Sequence, residues 1–75
     1  MHPPSRVAVE FGRAVRTLRT ERGMTQQELA DACGLDIGYI GQIERGQRNP
    51  TLGAMHSIAS VLRINLSALL KFAKL

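Results

Sequence analysis

A chain of 75 residues has room for one hydrophobic core, which excludes a multidomain machine and predicts a single domain. Its 44% hydrophobic and 21% charged residues are ordinary globular usage, away from disordered composition, and no apolar run approaches the roughly 20 residues of a membrane span. The net charge of +4 is carried by arginine in all but Lys71 and Lys74, and no acidic side chain follows Glu44, a balance that points to phosphate or nucleic acid.

Sustained period-2 alternation and hairpin-turn dipeptides are both missing, so an all-α chain is predicted. Residues 1–5, MHPPS, read as a flexible tail without the apolar core of a signal peptide, and residues 6–75 as the domain; a cytoplasmic protein is expected. The first helix runs from about Arg6 to Arg22, with Ser5 as N-cap, Gly23 as terminator, and Val7, Phe11, Ala14, Val15 and Leu18 at helical spacing. The second opens on TQQE, a capping box of Thr25 and Glu28, and ends at Gly34. Asp36 caps the third, which stops before Gly46. A loop from Gly46 to Pro50 leads to a fourth helix capped by Thr51, with an apolar stripe of Leu52, Met55, Ile58, Ala59 and Leu62. A short fifth helix follows Asn65 and carries Leu66, Leu69, Leu70 and Phe72. These are more apolar groups than one core can cover, so part of that helix is predicted to meet a second copy of the chain.

Chemistry-bearing clusters are scarce. Cys33 has no disulfide partner and reads as a small packed hydrophobe; His56 reads as exposed, and with His2 it forms no metal-ligand set. The serines lack a histidine and an orienting group, so no enzyme, cofactor, metal or small-molecule substrate is expected. Arg6, Arg13 and Arg16 read as a solvated face.

The segment from Thr25 to Leu52, TQQELADACGLDIGYIGQIERGQRNPTL, has the form of a helix-turn-helix: two short helices, a glycine turn at Gly34, and the small Ala30 where the helices must cross. On a helical wheel Ile40 and Ile43 fall toward Leu29 and Leu35, while Ile37, Gly38, Gly41, Gln42 and Arg45 fall together on the other side. Such segregation suits a helix that lies in the major groove of DNA.

Together, LRTERGMTQQELA, GLDIGYIGQIERGQRNPTL and VLRINLSALL resemble the lambda-repressor and Cro-like (XRE-type) helix-turn-helix family from about Phe11 to Leu70, and most of all the controller proteins of restriction-modification systems. A phage-type repressor, or an antitoxin-like autoregulator that also holds a protein partner, is the alternative. The resemblance implies a compact five-helix domain that acts as a homodimer on a palindromic double-stranded operator. It implies that Thr25, Gln26 and Gln27 meet DNA at the start of the second helix, with Gln26 on a phosphate. Asp36, Ile37, Gly38, Tyr39, Gly41 and Gln42 would lie on the recognition face, with Gln42 the clear bidentate group for a base such as adenine. Arg45, Arg48 and Asn49 would grip the backbone from the following loop. Arg19 and Glu44 stand where the family pairs an arginine and a glutamate structurally, and Leu69 and Leu70 lie nearest the dimer boundary.

Overall fold

The computed structural model describes residues 5–75; residues 1–4 of the expected tail, with His2, lie outside the described residues. Five helices follow in order: α1 (Arg6–Glu21), α2 (Gln26–Cys33), α3 (Ile37–Glu44), α4 (Leu52–Val61) and α5 (Leu66–Phe72). No strand occurs among the described residues, so the chain is all-α as its periodicity predicts.

Each helix begins on a side chain that accepts a free backbone N–H: Ser5, Thr25, Asp36, Thr51 and Asn65. At Thr25 the box is complete, because Glu28 also accepts from the Thr25 N–H at 2.8 Å. Ser5 therefore belongs to the fold rather than to the tail, and its hydroxyl also donates to Asn49 Oδ1 at 3.2 Å. The turns after α2 and α3 need a left-handed residue and have glycine there, Gly34 at φ 67° and Gly46 at φ 73°. After α4 the same position is filled by Arg63 at φ 59°, at a steric cost that glycine would avoid.

The core joins Phe11, Val15 and Leu18 of α1 to Leu29, Ile40, Ile43, Ile58, Leu62 and Leu69. Two expected core residues lie outside it. Val7 is 55% exposed because it sits in the first turn of α1, where it edges a shallow apolar groove with Met55, Leu70 and Leu75. Leu52 is 69% exposed, since it stands about 120° around the helix from Ile58, and Ala54 takes the inward place instead. Cys33 is half-buried against the core, where burial pushes its thiol pKa up, and His56 is exposed as predicted.

One contact has no counterpart in the sequence reading. At Gly12, α1 crosses α3 so closely that an added Cβ would stand 2.0 Å from the Ile43 carbonyl oxygen. The glycine is thus a spacing device that sets how α3 sits on the core.

The fifth helix departs most from expectation. Leu69, placed at a partner-facing boundary, is fully buried in the core of a single copy. Leu70 and Phe72 flank it on sides about 160° apart around the helix, so the four apolar residues do not form one face. Leu66 and Leu70 are half-buried and Phe72 is 48% exposed.

Candidate DNA-binding surface

Recognition by a helix requires that one side be locked and the other left free. In α3 the locking is done by Ile40 and Ile43, both buried, packed with Leu29 and with Ala30, whose small side chain lets α2 and α3 approach. Leu35 donates its N–H to the Ala30 carbonyl at 2.9 Å, closing the turn through Gly34. Leu35 itself is half-buried rather than core.

A second lock is electrostatic. Arg19 Nε and Nη2 donate to the two Glu44 carboxylate oxygens at 2.6 and 3.0 Å, and Nη1 donates to the Met24 carbonyl at 2.7 Å. Side-chain exposures of 11% and 2% make this a bidentate pair largely shielded from water, in the place expected for it. Gln26 joins it by donating Nε2 to Glu44 Oε1 at 3.0 Å, so its amide braces α2 against α3 with one of its two N–H donors.

The remaining expected contacts divide. Thr25 uses its hydroxyl in the capping box, Gln27 donates to Asp31 at 2.9 Å, and Asn49 is turned back toward Ser5. Asp36 accepts from Gly38 N–H at 2.8 Å as the α3 cap, leaving its carboxylate engaged. Ile37, at 41% exposed, and the exposed Gly38 lie open to solvent, and Gln42 is half-buried beside them. Gly41, assigned to the outer face, is buried because the Arg45 guanidinium folds over it: an added Cβ would lie 3.0 Å from Arg45 Nη1. Arg45 is otherwise exposed and donates Nε to Gln47 Oε1 at 3.1 Å.

Arg48 also turns inward along the surface. Its guanidinium carbon lies 5.3 Å from the centre of the Tyr39 ring, and Nη1 approaches Gln42 Oε1 at 3.5 Å. Tyr39 Oη accepts the Thr51 N–H at 3.2 Å, which ties α3 to the cap of α4. Between α3 and the start of α4 runs an open groove whose walls also include Thr51, read from sequence only as a helix cap, and Gly53 and Ser57, which the sequence reading did not place near DNA. Among the described residues no group of His, Cys, Asp and Glu could hold a metal ion. The surface is thus a half-apolar helix edge flanked by two exposed arginines, with the acidic groups nearby engaged in capping or pairing.

The helix-turn-helix family model matches residues 15–69, which takes in the two-helix unit and the helices packed on it. The chain belongs to this family of DNA-binding transcriptional regulators. Among helix-turn-helix proteins it is 40% identical over 63 residues to the control protein C.BamHI of Bacillus amyloliquefaciens, covering 83% of this chain and 78% of that one. It is 36% identical over 58 residues to the immunity repressor of Bacillus phage phi105, covering 77% of this chain but only 40% of that longer protein. The crystal structure of the restriction-modification controller protein C.AhdI from Aeromonas hydrophila superposes with a TM-score of 0.80 at 44% identity, over 83% of this chain and 94% of that one. Among the described residues no single helix is long and apolar enough to cross a membrane.

Proposed function

We propose that this helix-turn-helix protein is a cytoplasmic, non-enzymatic regulator that binds a palindromic operator as a homodimer, and that it acts as a restriction-modification controller on its own promoter. The observation that carries this reading is the division of α3, with Ile40 and Ile43 buried while Ile37, Gly38 and Gln42 line an open edge between exposed Arg45 and Arg48. Such an edge can enter a major groove, and the cations beside it can neutralise phosphates. The similarity to two controller proteins along most of their lengths supports the narrower role. A phage-type repressor remains the alternative, favoured by the match to the phi105 repressor.

Binding to duplex DNA across a salt series tests the reading. Log K should fall linearly with log salt, by about 0.9 per phosphate neutralised. Arg45→Ala should lower that slope by about one and weaken all sequences alike. Binding that ignores salt, or no binding to any duplex, would refute it.

A further inference from the structure

In the groove between α3 and α4, Gly38 and Gly53 contribute no side chains, which leaves Tyr39, Gln42 and Arg48 as the polar groups large enough to reach a base. Their arrangement is not that of independent residues. Tyr39 is held from two sides, its ring packed against the core and its hydroxyl accepting from Thr51 N–H at 3.2 Å. That fixed ring carries the Arg48 guanidinium, 5.3 Å from its centre, and Arg48 Nη1 faces Gln42 Oε1 at 3.5 Å.

The chemistry follows from what each group has left to offer. A glutamine amide reads adenine by giving a donor and an acceptor together, and here the acceptor is turned to Arg48. With one lone pair of the amide oxygen turned to Arg48, what the pair presents is weighted toward donors, the amide NH₂ and the guanidinium. Guanine offers two acceptors, N7 and O6, on its major-groove edge, whereas adenine and cytosine each bring an amino donor and thymine offers one acceptor beside a methyl group.

We propose that Tyr39, Arg48 and Gln42 form one reading unit, in which Tyr39 positions Arg48, Arg48 fixes the Gln42 amide, and the donors so presented take guanine. The unit rests on the DNA-binding role proposed above and makes Arg48 a base reader rather than only a phosphate contact. Tyr39 is a positioning residue in it.

Selection of duplexes from a random pool by the parent, Gln42→Ala, Arg48→Ala, Tyr39→Phe and Tyr39→Leu tests this, with each variant's melting measured alongside. In the parent, one column per half-site, identified as the column that Gln42→Ala erases, should favour guanine over adenine by about tenfold or more. Arg48→Ala, an exposed substitution, should abolish the guanine preference in that column while other columns persist. Tyr39→Phe keeps the ring and should keep the preference; Tyr39→Leu, if folded, should lose it. Adenine in the parent's Gln42 column would overturn the proposal, as would Arg48→Ala weakening all sequences with every column unchanged. A parent that enriches no sequence at all refutes the sequence-specific DNA-binding role itself, a different result from an enriched site that lacks this guanine.

Discussion

Arg19 donates through all three of its guanidinium nitrogens, two of them to a Glu44 carboxylate that also receives Gln26. Removing the arginine would leave a buried carboxylate with only the Gln26 amide, and breaking such a pair costs about 3 to 5 kcal/mol against a total stability of about 5 to 15. Arg19→Ala should therefore unfold or nearly unfold in a denaturant titration; a melting point within a few degrees of the parent's would mean the pair contributes little. Arg19→Lys keeps the charge but loses the two-pronged geometry, so it should fall in between. The pair was legible through family resemblance, but Gln26's part in it was not, because nothing in its local sequence reveals that the end of α3 comes to lie beside the start of α2. The same limit applies to Asn49, whose Oδ1 accepts from the Ser5 hydroxyl, a contact that nothing in the local sequence reveals. Cys33 was read as a packed residue, and its half-buried thiol has its pKa raised by burial. Since the folded state holds that proton more tightly than the unfolded chain, stability should be unaffected below the unfolded thiol's pKa and should decline as pH rises through the folded value. Replacing Cys33 by alanine should remove that alkaline component.

Helix boundaries were the most legible feature, since capping side chains and terminal glycines act locally: Thr25 with Glu28, Asp36 and Thr51 all cap where the sequence puts them. What periodicity could not reveal is which turn of a helix another helix covers. Val7 has the right phase but lies beyond the covered turns, and Gly12 looks like an ordinary helix-weakening glycine until α3 is placed against it. These two kinds of helical glycine respond oppositely to alanine. At Gly53 nothing lies nearer than 4.0 Å to an added Cβ, so Gly53→Ala should gain up to about 1 kcal/mol of helix propensity. At Gly12 the obstacle is the backbone of Ile43 and Glu44, which cannot swing aside, and overpacking costs of about 1 to 3 kcal/mol or more exceed that gain. Thermal melts of the two variants should shift in opposite directions; a Gly12→Ala protein as stable as the parent would mean α1 and α3 separate at little cost.

For the molecule as a whole, an all-α fold with a helix-turn-helix could be read from pattern, but the dimer surface could not be assigned residue by residue. Leu69 is core, so Leu69→Glu should abolish folding and say nothing about association. The surface we propose for the partner copy is the flank of α5 where Leu70 meets Val7, Met55 and Leu75 around an apolar groove that Ala8, Phe11 and Pro50 also line. Leu70→Glu should give a folded monomer in sedimentation at micromolar concentration, where the parent should sediment as a dimer; a parent that is monomeric there would refute that surface. Two-fold pairing would set two α3 helices about 34 Å apart, one turn of DNA. The most direct test of sequence-specific binding by a symmetric pair of α3 helices is therefore selection from random duplexes by the parent chain, read for symmetry. The account predicts an enriched palindrome with half-site centres about 10 base pairs apart. Enrichment of a single unrepeated half-site, or of no sequence, would contradict it.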